Sequence, residues 1–290
     1  MEGRKSFRTE RLLLRPWEES DAESLYEYAR DPAVGPIAGW PPHTSVEESL
    51  NVIKNVLNGL EAYAVCLKTD GKAIGAIELK LNGHTDMTER NDECELGYWL
   101  GKPFWGRGII PEAARELLRH AFEECGMKKV WCGYYDGNDK SRRVQEKCGF
   151  VYQWTSRDLD VPLLHEKRTG HVSCLSKEEY LKQFIAYCGL NCAQCDARIA
   201  TVTNDEVLRA RVAKEWSELN GVDITPDMIH CTGCRIDGVK TPYCQSLCPI
   251  RQCALGKGFK ICSDCGDMNR CEKVGAIIGN NTTALSNLRG

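Results

Sequence analysis

Eleven cysteines between Cys188 and Cys271 stand at spacings that suit a metal ion. Cys192/Cys195, Cys231/Cys234 and Cys262/Cys265 are C-x-x-C pairs. Such a turn can place two thiolates on one tetrahedral ion, and two of them complete a closed zinc site. Cys188/Cys192 and Cys244/Cys248 add C-x-x-x-C spacing, Cys253 and Cys271 lie outside the pairs, and His230 beside Cys231 is a further candidate ligand. The set is larger than two four-cysteine sites use, so some thiols must be spare, shared or redox-active. Structural zinc, an iron–sulfur cluster and uncommitted thiols or disulfides all remain open on spacing alone. Cys188, Cys192 and Cys195 also satisfy the C-x-x-x-C-x-x-C of radical S-adenosylmethionine enzymes, but the tail is too short for the barrel that this chemistry normally uses.

A second feature lies in the first half of the chain, where Gly106 and Gly108 flank Arg107 between a strand-like and a helix-like stretch. The first turn of a helix leaves backbone N–H groups unpaired at the positive end of its dipole, which makes an anion site. Glycine lets a phosphate approach that backbone without a Cβ in the way. Pro111 suits a first helical turn, where its missing N–H costs no intrahelical bond. The bland alternative is a tight strand–helix turn with no ligand, since Gly-x-Gly alone is a weak signal.

The elements that must position these groups follow from periodicity. "RLLLRP" reads as a strand, and "EESDAESLYEYARD" as a helix with Ser20 or Asp21 at its N-cap. A second helix is expected over Ser45–Leu60, then a hairpin of "AYAVCLK" and "KAIGAIELK" turning at Thr69-Asp70-Gly71. "ECELGYWL" is a further strand, followed after the glycines by a helix with Ala113, Leu117, Leu118 and Ala121 on one face. "KVWCGYY", "NDKSRRVQEKC", "GFVYQW" and "EKRTGHVSCL" read as strand, helix, strand, strand. This mixture predicts an α/β sandwich around a mixed sheet. Ser176 and Glu179 have capping-box spacing, and "TNDEVLRARVAKEWSELNG" reads as one helix capped by Asn204 and stopped at Asn220-Gly221; the rest of the tail is expected to be turns hung on cysteines.

Composition narrows the class. The chain has 290 residues and a net charge of −3, with no basic run, so a nucleic-acid binder is not indicated. No window is long and apolar enough for a membrane helix, and the N-terminus is not a secretory signal, so a cytoplasmic protein is expected. In a reducing cytosol disulfides are rare, and the Asn-x-Thr matches at Asn280 and Asn281 carry no weight. Of the 17 cysteines, Cys66, Cys94, Cys125, Cys132, Cys148 and Cys174 are scattered and the rest concentrate in the tail, which puts a domain boundary near residue 183, with domains 1–183 and 184–290.

"ELGYWLGKPFWGRGIIPEAARELL" followed by "NDKSRRVQEKCGF", together with the opening "FRTERLLLRPWEESDAESLYEYARDP", resembles the GNAT superfamily of N-acetyltransferases, in particular its RimJ/RimL-like branch. The likeness covers roughly residues 5–182. It implies the α/β (α+β) GNAT fold and acetyl-CoA as cosubstrate. The backbone of Trp105, Gly106, Arg107, Gly108, Ile109 and Ile110 would cradle the pyrophosphate, Trp99 and Leu100 would pair with the pantetheine arm, and Asn138 would bond the cofactor near its reactive end. Many superfamily members have Gln or Arg where Trp105 stands and Gly or Ala at Ile110; Trp-Gly-Arg-Gly is typical of this branch.

Acetyl transfer to an amine needs a neutral nitrogen, donors for the thioester oxygen and a proton for the leaving thiolate. The resemblance points to Glu95 as base, with Glu93 two residues away on the same strand face in reserve. Both could equally be solvated edge carboxylates. A backbone N–H near Tyr98–Leu100 would face the thioester oxygen. Many superfamily enzymes carry an acidic tyrosine where this chain has Gln145, whose amide cannot donate a proton as an acid; the branch implies Ser141 instead, with water as the alternative. His84, His120 and His165 read as loop or surface residues, and Cys148 as packing.

The tail resembles a family of small cysteine-rich domains of unknown function opening Tyr-Cys-Gly-Leu-x-Cys-x-x-Cys, matched here from Tyr187 to Cys195 and later by "CTGC", "CALGKGFKICSDC" and Cys271. That family is usually taken to bind metal. The expected protein is therefore an N-acetyltransferase that moves an acetyl group from acetyl-CoA to a primary amine, with a protein N-terminus among the candidates, by direct transfer in a ternary complex, and with a small metal-stabilised tail. The competing class is an acetyl-CoA-binding sensor or adaptor with little turnover.

Overall fold

The computed structural model describes residues 4–81 and 84–289, and the chain divides into two compact units, Met1–Lys177 and Glu178–Gly290. The first unit is built on one eight-stranded sheet in the order β1-β2-β3-β4-β5-β6-β8-β7. Its strands are β1 (Phe7–Arg8), β2 (Leu12–Pro16), β3 (Ala62–Leu67), β4 (Ala73–Lys80), β5 (Glu93–Leu100), β6 (Lys129–Tyr135), β7 (Val151–Val161) and β8 (Glu166–Ser176). All neighbours are antiparallel except β5 and β6, which run parallel.

Helices cover both faces, so the strands are apolar on both. α1 (Ala22–Ala29) and α3 (Val46–Asn55), with the short α2 (Gly35–Ala38) between them, lie on one side; Leu25, Ala29 and Ile53 meet Ala64 and Cys66 there. α4 (Ile109–Arg119) packs against β2, β4 and β5, and its Leu117 and Leu118 are fully buried. Each such leucine contributes about 1.5–3 kcal/mol by leaving water. α5 (Asp139–Lys147) sits between β6 and β7 in the chain.

The hairpin, strands and helices expected in this half form, with two local differences. Asp21 occupies the N-cap position of α1, but its carboxylate makes a two-bond pair with Arg15 (2.6 and 2.7 Å) and caps no helix N–H. α3 starts where expected, with Ser45 Oγ accepting from the Glu48 N–H at 3.0 Å, yet stops at Asn55 rather than Leu60. The Asn58-Gly59 pair that follows favours a turn over continued helix.

The second unit is more helical than its cysteines suggest. It contains α6 (Lys177–Lys182, shared with the boundary), α7 (Asp196–Val202), α8 (Glu206–Asn220), α9 (Pro249–Gly256), α10 (Glu272–Ile278) and α11 (Thr282–Arg289). α7, α9 and α10 each begin directly after a cysteine, respectively Cys195, Cys248 and Cys271. These cysteines thus stand at the N-caps of short helices rather than as hubs of irregular turns. α8 is capped by Asp205, which accepts from the Leu208 N–H at 2.9 Å, and Asn204 instead takes the left-handed φ of 52° just ahead of it. Gly221 ends α8 with φ 65°, as the Asn-Gly signal predicts. Among the described residues, no helix is long and apolar enough to cross a membrane.

Candidate active site

The parallel pair at the centre of the sheet is brief. β5 and β6 are matched only at Glu93–Lys129, Cys94–Val130 and Glu95–Trp131. Beyond those residues Leu96–Leu100 and Cys132–Tyr135 have no cross-strand partners in each other, so the sheet opens into a wedge. The unmatched end of β5 offers a free row of backbone groups to an extended ligand.

A cleft of about 1040 Å³ opens along this wedge and runs to the head of α4. It is lined by Tyr98, Trp99, Leu100, Trp105, Gly106, Gly108, Ile109, Ile110, Asn138 and Ser141. Separate stretches of sequence point to these residues, Ser141 as a proton donor, Tyr98 through its backbone alone and the others at the cofactor; the fold brings them to one surface. Arg107 is the exception: its carbonyl accepts from Arg11 Nη1 at 3.0 Å and its side chain turns toward Phe104, away from the lining. Gly106 and Gly108 have φ of 75° and 72°, the left-handed region where a side chain costs about 1–2 kcal/mol. Gly108 is the N-cap of α4 and uses no side chain to cap it, so the first-turn amides stay available to an anion. Lys140, Arg143, Lys147 and Arg168 line the cleft against Asp136 and Asp139, leaving it net positive.

Asn138 opens α5, its Oδ1 accepting from the Ser141 N–H at 3.2 Å, which leaves its amide NH₂ for a ligand. Ser141 Oγ lies 2.9 Å from Tyr98 Oη and 3.4 Å from Gln145 Nε2. Burial holds the Tyr98 phenol well above its usual range, so it stays protonated. The sequence gives Tyr98 a backbone role alone. Its side chain could have been suspected because the tyrosine absent at position 145 leaves a gap that some other hydroxyl must fill.

A second cavity of about 520 Å³ shares Tyr98, Trp99, Asn138 and Ser141 with the cleft. It is lined by Glu78, Asp86, Glu95 and Asp160 against Lys80 and His171. Glu95 is in place but occupied: Oε1 takes Lys80 Nζ at 2.8 Å and Oε2 takes Thr85 Oγ1 at 2.5 Å. Burial alone would lower the Lys80 ammonium, but Glu95 outweighs it and holds Lys80 above the ordinary lysine value. Glu93, the expected reserve, faces neither cavity. Its carboxylate is bound by Trp131 Nε1 at 2.7 Å, Thr88 Oγ1 at 2.9 Å and Arg90 at 3.3 Å, so it holds β5 to its neighbours.

The residue missed from sequence is Glu78 on β4, opposite Gly97 on β5. Its Oε1 lies 3.0 Å from where a Cβ on Gly97 would stand, so the bare residue makes room for it. Burial raises its carboxyl above the usual range; Lys80 pulls the other way and Glu95 adds to the rise. A carboxyl pushed toward neutrality inside a cavity has the property a general base needs.

Comparison with known proteins bears on this geometry. Residues 11–151 match the family model described as an acetyltransferase (GNAT) domain. The solved structure of a probable acetyltransferase is 30% identical, covers 61% of this chain and 99% of its own, and superposes with a TM-score of 0.50. The chain belongs to the GNAT acetyltransferases. A Bacillus subtilis (strain 168) protein provisionally named ribosomal N-acetyltransferase YdaF is 40% identical over 102 residues, which is 35% of this chain and 51% of that one. The ribosomal-protein-serine acetyltransferase of Escherichia coli (strain K12) is 27% identical over 119 residues, 39% of this chain and 63% of its own. The chain thus spans about half to two thirds of these two relatives. Residues 184–276 match a family described as a protein of unknown function, DUF3795.

The GNAT unit is thus an acyltransferase on the mixed α/β fold its motifs implied. Two histidines stand as read: His84 and His165 are exposed. His120 does not. It is 1% exposed, at the end of α4, with Nδ1 2.9 Å from Glu124 and Nε2 3.0 Å from Glu61. Its helical spacing from Leu117 carried that signal. Cys148 is buried at the end of α5, as a packing residue should be.

In the tail all eleven cysteines are free thiols, buried or half-buried. Cys188, Cys192, Cys234, Cys248 and Cys262 gather around one small core with Ala186, Tyr187, Ile250 and Ala254. Cys195 packs instead against Ala197 and Ile229, and Cys271 against Met268 and Val274. The Cys234 N–H reaches Cys192 Sγ at 3.4 Å and the Arg251 N–H reaches Cys248 Sγ at 3.5 Å. Burial pushes the Cys192 thiol up to about 12 and the Cys244 and Cys262 thiols up to about 11.

The C-x-x-C turn of Cys262 and Cys265 does form, with the Cys265 N–H donating to the Cys262 carbonyl at 3.1 Å. Cys265 in turn accepts from the Met268 N–H at 3.1 Å, so its backbone continues into the next turn toward Cys271. No third ligand atom closes on Cys262 and Cys265, however. Among the described residues no three of the tail's sulfurs lie within 4.8 Å of one another. That holds for Cys231, Cys244 and Cys253 as for Cys265 and the others. Four thiolates on one zinc ion would stand about 3.8 Å apart, from tetrahedral bonds of ~2.3 Å. The sulfurs expected as metal ligands are thus gathered in small clusters of the tail, without three of them closing on one point in this structure.

Proposed function

We propose that the GNAT unit binds acetyl-CoA in the 1040 Å³ cleft and passes its acetyl group directly to an amine held in the adjoining 520 Å³ cavity. The observation that carries this reading is the wedge between β5 and β6, which leads from the left-handed glycines at the head of α4 to Tyr98, Ser141 and the acidic cavity. Acetyl-CoA would supply an activated thioester. The protein's part is to hold its phosphates at the α4 amides and the basic rim, to present a β5 N–H near Tyr98–Leu100 to the carbonyl oxygen, and to move two protons.

The first proton leaves the ammonium of the acceptor. Glu78 is the proposed base, since both oxygens of Glu95 are engaged while no hydrogen bond from the described residues holds Glu78. Glu95 and Lys80 set the charge around it. Four acidic side chains in the cavity suit a cationic amine, and the names of the Bacillus and Escherichia relatives favour an amine on a protein, such as an N-terminus. The second proton goes to the departing sulfur, from Ser141 Oγ backed by the Tyr98 phenol. The family membership favours turnover over the sensor reading, which no observation on this fold supports separately.

Two measurements test this. Acetyl-CoA should bind the full chain in titration calorimetry, and removing Arg143 and Lys147 together should weaken it about tenfold at low salt, with the difference shrinking as ionic strength rises. Absence of binding by the unaltered chain would end the reading. Ser141→Ala and Tyr98→Phe should each lower kcat about tenfold, and the double variant should be no worse than either, because the two hydroxyls act as one unit. Additive losses would show that they serve separate steps.

A further inference from the structure

His120, Glu61 and Cys125 converge outside both cavities, on the opposite end of α4 from the glycines. The last turn of that helix widens to π-type hydrogen bonding, with the Cys125 N–H bonded to the His120 carbonyl five residues back at 2.9 Å. Such turns are rare and occur often at functional sites. Here the widening brings Cys125 alongside the His120 ring, whose Nε2 lies 3.2 Å from Cys125 Sγ and 3.0 Å from Glu61 Oε2. All three atoms lie within 4.8 Å of one another, and no other such group of three occurs among the described residues.

We propose that Glu61, His120 and Cys125 form a binding site for a divalent zinc-class ion, with water in the fourth position. Zinc bonds of about 2.0–2.1 Å to nitrogen, 2.0–2.2 Å to oxygen and 2.3 Å to sulfur put the edges of the tetrahedron at roughly 3.3–3.6 Å. The two short separations observed need to open by only a few tenths of an ångström. A mixed nitrogen, oxygen and sulfur set suits zinc over calcium or magnesium, which prefer oxygen alone.

The surroundings resemble those of a metal-bound histidine. Nδ1 faces Glu124, and that carboxylate is itself held by Arg119 at 2.6 Å and Lys5 at 2.9 Å. A carboxylate on the far ring nitrogen fixes the ring and leaves Nε2 as the ligand atom. Tyr63 Oη donates to Glu61 Oε2 at 2.7 Å and orients the second ligand. The His120 side chain is 2% exposed and that of Glu61 18%, so the ring is enclosed while a path to solvent remains at the carboxylate. Binding would displace one ring proton and the Cys125 thiol proton to the buffer. Because the site joins the end of α4 to the residue just before β3, its role is a structural clamp on the sheet rather than a part of the transfer.

The tail carries many competing thiols, so the test must report on Cys125 itself. Full-length protein is alkylated with iodoacetamide in the presence of excess zinc or of a chelator, and the Cys125 peptide is followed by mass spectrometry. Zinc should slow its modification by about tenfold or more, the chelator should restore the rate, and Glu61→Gln should abolish the protection. Equal rates with and without excess zinc in the unaltered protein would overturn the proposal and leave the cluster as an imidazolium between two carboxylates. The unaltered protein decides this even if the variant does not fold.

Discussion

Glu78→Gln lowers kcat/KM by about a hundredfold at neutral pH, the low end of the 10²–10⁴ range for a lost general base. Glutamine keeps the shape beside Gly97 but cannot take a proton. The loss should fade as pH rises and the acceptor amine loses its proton to solvent instead. The pH of recovery then reads the acceptor: about 8 for an α-amine, about 10.4 for a lysine side chain. Glu95→Gln is the companion variant. Removing that carboxylate takes away a charge that raises the Glu78 carboxyl and frees Lys80, which lowers it. Glu78 therefore titrates at lower pH, and the acid limb of the profile moves down with a smaller loss at the plateau. A pH–rate series on both variants separates the roles. Should Glu95→Gln cost a hundredfold while Glu78→Gln costs only a few-fold, the base is Glu95, reached despite its partners.

The second large effect lies in the tail. Gly189→Ala should destabilise the Glu178–Gly290 unit by roughly 3 kcal/mol, from about 1–2 for a side chain in the left-handed region and about 1–3 for overpacking. Gly189 has φ of 88°, and a Cβ there would stand 2.1 Å from the Ala284 carbonyl oxygen and 2.9 Å from Leu288 Cγ. The obstructing atom is backbone in α11, so no rotamer change relieves it. The same helix is tied back by Asn287 Nδ2, which donates to the Gly189 carbonyl at 2.8 Å, and it buries Ala284 and Leu288. Hydrogen exchange should therefore quicken roughly a hundredfold in the peptides around 186–192 and 282–289. Exchange unchanged there would mean that α11 is not held against this turn in solution. The Tyr-Cys-Gly-Leu opening of the tail thus has a steric reason for its glycine, separate from any metal.

Features that are local or strictly periodic were legible from the residues alone. The hairpin at Asp70-Gly71, the helix stripe of Leu117 and Leu118, the glycine turn ahead of α4 and the Asn-Gly stop of α8 all follow from backbone chemistry within a few residues. The motif order along roughly residues 5–182 was enough to point to the family and to a mixed sheet, without its strand order. Assignments failed where a side chain chose between competing partners. Asp21 prefers Arg15 to its own helix, and Glu93 is taken by Trp131 and Thr88, so neither does what its position implied.

The chemistry of the site emerges only once the chain has folded. Glu78 gains its raised carboxyl from burial in a cavity closed by residues of distant strands, and Tyr98 meets Ser141 across 43 positions. His120 meets Glu61 across 59. Desolvation and such long-range pairs depend on how the chain closes on itself, and spacing along one strand or helix carries no trace of them. The cysteine tail shows the opposite limit. Its C-x-x-C pairs are plain in the sequence, and the turn of Cys262 and Cys265 forms as that spacing implies. Whether four sulfurs converge on one point is a three-dimensional distance, however, and here the thiols gather around Tyr187, Ile250 and Ala254 without closing to it.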